Sequence, residues 1–201
     1  MNIAVFASGN GSNFAAIAAA IKKKKIRAKL ALVVCDNPAA YVVKRAQKAG
    51  VKVALVKRQD FSSKKDFEEK IIEHLEKNNI RLIVLAGFMR MLGQAILKSY
   101  KNRILNIHPA LLPSFKGSAG IKDAFDYGVK VTGVTVHFVD ALMDNGPVIL
   151  QAAVSVQEND TLASLEAKIH KVEHRIYPEA INLFAQGKLK VKGRKVEILN
   201  P

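Results

Sequence analysis

The sequence predicts an α/β fold, a mostly parallel twisted sheet of about seven strands flanked by helices, with a Rossmann-like N-terminal half. Short apolar runs alternate with helical patterns in that half, as in a parallel sheet covered by helices. Two of the runs, 3–7 and 82–86, are apolar throughout, which is typical of strands buried on both faces. After Pro113 the alternation stops, and two further runs joined by a turn sequence predict an antiparallel addition to the sheet.

The individual elements follow from the same patterns, to within about 2–4 residues. Strands are predicted at about 2–7, 29–35, 51–56, 81–86 and 103–107, and helices at about 12–24, 38–49, 64–78 and 93–101. A loop rich in Ser and Gly at 114–120 and a short helix lead to strands at 133–139 and 147–156. A long helix begins after Asp160 or Thr161, either of which can cap it, and ends before Gly187.

The composition indicates one domain. The chain has 201 residues, 49% of them hydrophobic, and no low-complexity tract, so it can bury a substantial core.

Its single cysteine, Cys35, lies in an apolar run and is expected to be a buried, reduced thiol. Residues 1–8 do not resemble a signal peptide, and no apolar run is long enough to cross a membrane. We therefore expect a cytoplasmic protein without membrane attachment.

The net charge of +15 raises the possibility of a nucleic-acid partner. Lysines 22–25 fall at the end of a predicted helix, where cations suit the helix dipole, and a second basic group at 188–195 belongs to the C-terminal tail. Neither group is accompanied by an aromatic platform or by zinc-ligand spacing. We therefore expect a solvated basic surface that steers anionic ligands, and no nucleic-acid partner.

The end of the fifth predicted strand carries two polar side chains, Asn106 and His108. Their spacing places both on one face of the strand, and Pro109 ends the strand there. This is the carboxyl end of a strand, where open α/β sheets bind ligands. An amide can hold a developing oxyanion and an imidazole can transfer a proton near neutral pH, so the pair suits acyl transfer. A strand end whose polar groups only satisfy the backbone is the alternative.

The turn after the first strand, residues 8–13, contains two glycines followed by Ser12 and Asn13 at the start of a helix. Small polar residues at a helix N-terminus favour an anion site, and a plain capped turn is the alternative. A dinucleotide fingerprint would need a third glycine where Phe14 stands. Asp36 could mimic a ribose-binding acid, but its Asp-Asn-Pro context is equally good turn chemistry. A phosphate ester therefore fits better than NAD.

A third segment, residues 143–147, has the composition of a simple turn. Asp144 gains a role if this turn folds over His108, because a nearby carboxylate stabilises a protonated imidazole. We expect His137 to be a packing or supporting residue, and His74 and His170 to lie at the surface. His174 lies one helical turn from His170 without a third ligand, so no metal site is predicted.

Taken together, these segments resemble the phosphoribosylglycinamide formyltransferase family, the folate-dependent transformylases of purine synthesis. The resemblance rests on four motifs in order: Ser-Gly-Asn-Gly-Ser-Asn at 8–13, Leu-Ala-Gly-Phe-Met-Arg at 85–90, Leu-Asn-Ile-His-Pro-Ala-Leu-Leu-Pro at 105–113, and Gly-Val-Thr-Val-His-Phe-Val at 133–139 followed by Asp-Asn-Gly-Pro at 144–147. It runs essentially end to end. It implies formyl transfer from 10-formyltetrahydrofolate to the amine of 5′-phosphoribosylglycinamide.

The resemblance also implies roles for particular residues. Asn106 and protonated His108 would hold the oxyanion, His108 would act as general acid, and Asp144 would keep the imidazole charged. The substrate would be bound by Gly11, Ser12, Asn13 and Glu173. The folate would be bound by Lys64, Met89, Arg90, Met91, Leu92, Asn106 and Asp140. Residues 1–108 would form the nucleotide-phosphate half, and residues 109–201 the half with the folate loop and the last helix.

Two positions depart from the family's common pattern. Lys64 stands where some members use Arg, which removes a bidentate clasp on the folate carboxylates. His170 stands where Gln is common, which alters one substrate contact. The variable loop at 114–120 is assigned no catalytic role.

Three alternatives remain open from the sequence. Formyltetrahydrofolate deformylases share the catalytic trio but carry an N-terminal regulatory domain, which we do not expect here. Methionyl-tRNA formyltransferases carry a C-terminal nucleic-acid-binding domain, for which the tail of about 15 residues leaves no room. A basic nucleotide-binding module is the non-enzymatic alternative. We expect the partners to be the two small substrates, and the protein to be a monomer or homodimer.

Overall fold

A computed structural model describes residues 1–199. The strands are β1 (Asn2–Phe6), β2 (Lys29–Cys35), β3 (Lys52–Leu55), β4 (Ile80–Leu85), β5 (Ile104–His108), β6 (Val131–Phe138), β7 (Val148–Ser155), β8 (Leu189–Lys192) and β9 (Lys195–Ile198). The helices are α1 (Ser12–Lys22), α2 (Tyr41–Lys48), α3 (Lys64–Lys77), α4 (Gln94–Ser99), α5 (Gly120–Tyr127) and α6 (Leu162–Ala185). None of these helices is long and apolar enough to span a membrane.

The main sheet has seven strands in the order β3-β2-β1-β4-β5-β6-β7, which confirms the predicted fold class. Strands β1 to β5 are parallel, and β6 and β7 add antiparallel to the β5 edge. The strand order reverses between β1 and β4, and open α/β sheets bind their ligands at such a reversal, beyond the carboxyl ends of the strands. The segments following β1, β4 and β5 all begin at this edge.

Helices cover both faces of the sheet, because alternate residues of each central strand point to opposite sides. In β1, Ile3 and Val5 pack into a core layer with α1 and α6, whereas Ala4 and Phe6 pack into a second layer with α3 and α4. All four side chains have no exposed surface. The continuously apolar sequence of β1 is therefore explained by burial on two faces.

Helix α6 is fixed to the sheet by Tyr177, which is fully buried. Its hydroxyl donates to the carbonyl oxygens of Leu85 (2.7 Å) and Leu105 (3.0 Å), near the carboxyl ends of β4 and β5. Burial raises the pKa of Tyr177 well above its usual value, so the hydroxyl remains a donor. At its other end the helix begins with a capping box between Thr161 and Ser164. Tyr177 places the preceding turn, which carries Glu173, at the ligand edge of the sheet.

Three differences between the predicted and the observed elements have an identifiable local cause. Helix α2 begins at Tyr41, three residues later than predicted, because Asn37 forms a turn by accepting from the amide of Ala39. Helix α1 ends at Lys22 because Lys24 adopts a left-handed conformation with φ 56°. The basic tail is not an unstructured extension: residues 189–198 form the hairpin β8–β9, which the alternation of lysines with Leu, Val and Ile could have indicated.

Candidate active site

The end of β5 meets the turn 140–146, which is the condition under which the sequence analysis gave Asp144 a role. Asn106 and His108 share one face of the strand. Asp144 lies over both: one carboxylate oxygen is 3.4 Å from His108 Nδ1, and the other accepts from the Asn106 amide at 3.4 Å. The structure thus brings an amide, an imidazole and a carboxylate together, although the carboxylate is 38 residues away from the amide in sequence.

The turn carrying Asp144 is held by its own contacts. Asp140 accepts from the amide of Leu142 (2.9 Å) and from the side chain of Asn145 (3.0 Å). Gly146 lies so close to β6 that a Cβ there would be 1.8 Å from the carbonyl oxygen of Phe138. Asp144 itself has a positive φ of 46°, a conformation that aspartate tolerates better than most residues. The carboxylate of Asp140 is used within the turn, so a ligand at this position meets backbone groups.

His137 supports the cluster from β6, opposite Asn106. Its Nδ1 donates to the carbonyl oxygen of Phe138 (2.8 Å), and burial lowers the pKa of His137, so the ring is held neutral. The other ring nitrogen, Nε2, then accepts from the Asn106 side-chain nitrogen at 3.1 Å. His137, expected to be a packing or supporting residue, fixes the orientation of the Asn106 amide, with its nitrogen directed towards His137 and Asp144.

The loop 114–120 closes over the same cluster. His108 Nε2 donates to the carbonyl oxygen of Phe115 at 2.7 Å, and the amide of Gly117 donates to Asp144 at 2.9 Å. Gly120 lies under the imidazole, because a Cβ there would be 3.2 Å from His108 Nε2. Sequence reasoning assigned this loop no role, since richness in Ser and Gly indicates a loop and not what it contacts.

The turn after β1 presents the first turn of α1 at the same edge. Gly11, at the N-cap position, has φ 76° and no side chain, so no side chain caps the free backbone N–H groups of the helix. A Cβ on Gly11 would lie 2.7 Å from Cβ of Val42. Arg45 braces the turn by donating to the carbonyl and side-chain oxygens of Asn10 (2.9 and 3.0 Å). This arrangement can bind an anion through backbone groups.

Glu173 of α6 joins this turn to the last helix. It is 4% exposed and accepts from Asn13 (3.0 Å) and His170 (2.9 Å). The hydrogen bond that His170 donates to Glu173 raises the pKa of His170, whereas desolvation lowers the pKa of His174, whose ring stacks on His170. Within residues 1–199 no group of three or more His, Cys, Asp or Glu side chains could hold a metal ion.

The segment 88–93 after β4 is anchored on two sides. Ser8 donates to Asp36 (2.6 Å) and accepts from the amide of Met89 (3.1 Å), and Arg90 donates to the same Asp36 (2.5 Å). At the far end, the backbone amide of Gly93 donates to the carboxylate of Glu68. An oxygen of this carboxylate lies 3.8 Å from Nζ of Lys64. Asp36 is thus more than a turn residue, because its carboxylate links the turn after β1 to the segment after β4. Along this segment Met89 and Met91 are exposed and Leu92 is buried.

An amide, an imidazole and a carboxylate, near a helix N-terminus without a side-chain cap, are typical of a group-transfer site on a doubly wound α/β fold. The comparisons with known proteins specify the class: a family model described as formyl transferase matches residues 1–181. The chain belongs to the formyl transferase family.

The similar proteins indicate a particular branch of this family. Phosphoribosylglycinamide formyltransferase of Bacillus subtilis (strain 168) is 47% identical over 178 residues, which are 89% of this chain and 91% of that protein. The Escherichia coli (strain K12) protein of the same name is 39% identical over 95% of this chain and 90% of its own length. The crystal structure of glycinamide ribonucleotide transformylase 1 from Symbiobacterium toebii superposes on this chain with a TM-score of 0.97 and 44% sequence identity. The match covers 100% of this chain and 94% of that one. These findings confirm the family expected from the sequence motifs.

Proposed function

We propose that this chain transfers the formyl group of 10-formyltetrahydrofolate to the amine of 5′-phosphoribosylglycinamide. The products are the N-formyl ribonucleotide and tetrahydrofolate, in de novo purine biosynthesis. The observation that supports it most strongly is the meeting of Asn106, His108 and Asp144 within 3.4 Å contacts. The relatives from Bacillus subtilis and Escherichia coli are both named phosphoribosylglycinamide formyltransferase, which supports the acceptor and the group transferred.

The transfer begins with attack of the substrate amine on the formyl carbon, which places a negative charge on the formyl oxygen. One N–H of Asn106 is engaged by His137 at 3.1 Å, whereas the other reaches Asp144 only at 3.4 Å. The second N–H is therefore the one available to the oxyanion. Because neutral His137 cannot donate from Nε2, it keeps the Asn106 nitrogen directed into the site.

His108 is placed to supply the proton. Its two ring nitrogens face oxygen acceptors, the carbonyl of Phe115 and the carboxylate of Asp144, and an imidazolium satisfies both. Protonated His108 stabilises the oxyanion and then gives a proton to N10 of the folate as the carbon–nitrogen bond breaks. Asp144 accepts from Nδ1 of the ring and collects the proton that the attacking amine loses.

The loop 114–120 must give way in this mechanism. The Phe115 carbonyl occupies the Nε2 donor of His108, so a formyl oxygen can reach that donor only when this carbonyl moves. The contact between Gly117 and Asp144 would break in the same movement. Loop and substrate therefore compete for the same two side chains.

The phosphate of the ribonucleotide is assigned to the first turn of α1. Gly11, Ser12 and Asn13 offer backbone N–H groups and a hydroxyl there, and the helix dipole favours an anion. Glu173, held by Asn13 and His170, is assigned to the ribose hydroxyls. In this proposal the N-terminal half binds the phosphate, and α6 of the C-terminal half supplies the contact with the ribose.

The folate is assigned to the crevice between the segment 88–92 and the turn 140–146. One side would be lined by Met89, Arg90, Met91 and Leu92. Backbone groups near Asp140 would contact the pterin ring, and Lys64 would lie near the glutamate end of the folate. The carboxylate of Asp140 is engaged within the turn, which leaves the backbone to make these contacts. No metal takes part in this proposal, and the basic surface is not assigned to a nucleic acid.

The test is an assay of formyl transfer with purified protein and labelled 10-formyltetrahydrofolate. We expect label in the ribonucleotide when 5′-phosphoribosylglycinamide is present and little formate release when it is absent. Formate release at the same rate with and without the ribonucleotide would favour a deformylase, and label in tRNA would favour a tRNA formyltransferase.

A second experiment tests the metal-free mechanism. Full activity after exhaustive chelation is expected, and activity restored only by zinc would contradict this mechanism.

A further inference from the structure

The hairpin β8–β9 reaches the turn that carries Asp144. Arg194, at the tip of this hairpin, donates through a guanidinium N–H to the backbone carbonyl oxygen of Asn145, which lies 49 residues earlier in the sequence. Asn145 directly follows Asp144, and a carboxylate oxygen of Asp144 lies 3.4 Å from Nδ1 of His108. A side chain near the C-terminus thus contacts the backbone beside the carboxylate of the cluster, and the mechanism proposed above gives this contact no role.

The position of Arg194 is fixed by the turn and the packing of the hairpin. Lys192 and Lys195 pair across its two strands, so the turn consists of Gly193 and Arg194 alone. Gly193 has φ 58°, the conformation that favours glycine at the first position of a tight hairpin turn. The apolar side chains of the hairpin pack against the main core layer: Leu189, Val191 and Val196. The tip of the hairpin is therefore attached to the same core as the strands that carry the cluster.

Arg194 restrains the turn 140–146 from outside, and Asp140 restrains it from inside. The carboxylate of Asp140 accepts from the side chain of Asn145 at 3.0 Å, while Arg194 binds the carbonyl oxygen of the same residue. A hydrogen bond from a guanidinium is charge-assisted and stronger than one between neutral groups. Asp144 has a positive φ of 46°, a conformation that persists where the surrounding structure holds the backbone. Anchoring of Asn145 on two sides supplies that hold.

The contact with Arg194 does not depend on the loop 114–120. That loop also holds Asp144, through the amide of Gly117 at 2.9 Å, but the proposed mechanism requires the loop to move and this contact to break. The hydrogen bond between Arg194 and Asn145 includes no residue of the loop, so it can persist when the loop is displaced. Its restraint on the turn matters most in that open arrangement, in which the substrates react.

We propose that Arg194 is a positioning residue for formyl transfer. It holds the turn 140–146 so that the carboxylate of Asp144 stays over His108 while the loop 114–120 is displaced. The inference rests on the proposed function, since Arg194 acts through the backbone of the turn and the carboxylate of Asp144. Its removal should therefore lower turnover and leave the binding of the ribonucleotide at the first turn of α1 nearly unchanged.

The first experiment measures kcat and KM of Arg194→Gln with both substrates. We expect kcat to fall about 3- to 10-fold, the scale of one lost hydrogen bond. The KM for 5′-phosphoribosylglycinamide should stay within about twofold of the wild-type value. Wild-type kcat in Arg194→Gln would overturn the positioning role while formyl transfer stands. An increase in this KM with unchanged kcat would overturn it as well, because it would indicate a role in binding.

A double-mutant cycle then tests whether Arg194 acts through Asp144. Once Asp144→Asn has removed the carboxylate, adding Arg194→Gln should lower kcat by less than about twofold. A merely structural contribution of Arg194 would be independent of that carboxylate. The same 3- to 10-fold loss on both backgrounds, at about that size, would therefore overturn the proposal.

Lys195→Gln is the matched control, because Lys195 is the next residue of the same hairpin, is exposed and carries the same charge. This variant should keep the wild-type kcat. An equal loss in Lys195→Gln and Arg194→Gln would show a general effect of charge and overturn the proposal. Absence of formyl transfer in the wild type would instead overturn the proposed function and, with it, this inference.

Discussion

The cluster around His108 and the turn before α1 lie at the same edge of the sheet but are built on opposite principles. In the cluster, side chains from two strands and one turn contact one another and the backbone of the loop 114–120, and His108 is 3% exposed. In the turn, Gly11 leaves the backbone N–H groups of α1 without a side-chain cap. The cluster therefore depends on which side chains are present, and the turn depends on the absence of one. Substitutions should affect turnover in the first region and substrate binding in the second.

The largest effect is expected for His108→Ala. Turnover should fall by about 10²–10³ or more, because the general acid and one oxyanion donor are removed together. The measurement is kcat under saturating substrates, with His74→Ala on α3 as the matched control that keeps wild-type turnover. Near-wild-type turnover in a folded His108→Ala protein would contradict the assignment of the cluster.

The second-largest effect is expected for Asp144→Asn. Turnover should fall by a factor of about 10², and the affinities for both substrates should be nearly unchanged. The amide keeps the size of the side chain and removes the negative charge that faces Nδ1 of His108 at 3.4 Å. Equilibrium binding and kcat measured on one preparation separate the two effects. Asp126→Asn on the exposed face of α5 is the control, and a substrate affinity that falls as much as turnover would place Asp144 in binding instead.

Gly11→Ala tests the turn. The added Cβ would meet Val42 at 2.7 Å, and alanine disfavours a φ of 76°, so the turn must shift. We expect about tenfold weaker binding of 5′-phosphoribosylglycinamide, the scale of 1–2 kcal/mol of backbone strain, and little change for tetrahydrofolate. Gly9→Ala is the matched control in the same turn, because a Cβ there meets nothing within 4 Å. Equal loss for both ligands would remove the distinction between the two regions.

The smallest effect is expected for His170→Gln, and it depends on pH. The hydrogen bond to Glu173 raises the pKa of His170 in the folded state. Its contribution to stability is therefore fully present below the unfolded value of about 6.5 and is lost as pH rises through the folded pKa.

Urea unfolding at pH 5.5 and pH 8.5 measures this contribution. The wild type should exceed His170→Gln by a few tenths of a kcal/mol at the lower pH only, since the side chain is 48% exposed and the pair is screened by solvent. Glu166, Glu173 and His174 are the charged or titratable groups that act on His170. A larger difference at pH 8.5 would contradict the ion pair.

Much of the fold could be predicted because its signals are local. Burial of β1 and β4 on both faces left continuous apolar runs, and helix α6 was located by the capping residue Thr161 and by Gly187. The hairpin β8–β9 was missed because its lysines suggested a solvated tail, although the residues between them alternate as in a strand. Helix ends were less accurate where a turn such as that of Asn37 competed with the helix.

The sequence by itself determined the strand that places Asn106 and His108 on one face, and the glycine turn that opens α1. Both follow from backbone geometry over a few residues. Only the tertiary structure decided that Asp144 lies over His108 and that His137 orients the Asn106 amide. The same holds for the hydrogen bond from His108 to the Phe115 carbonyl and for the ion pair between Asp36 and Arg90. Apart from the contact with Phe115, these join residues 31 to 54 positions apart. Such contacts depend on strand order and on the path of each loop, and local sequence patterns carry no information about either.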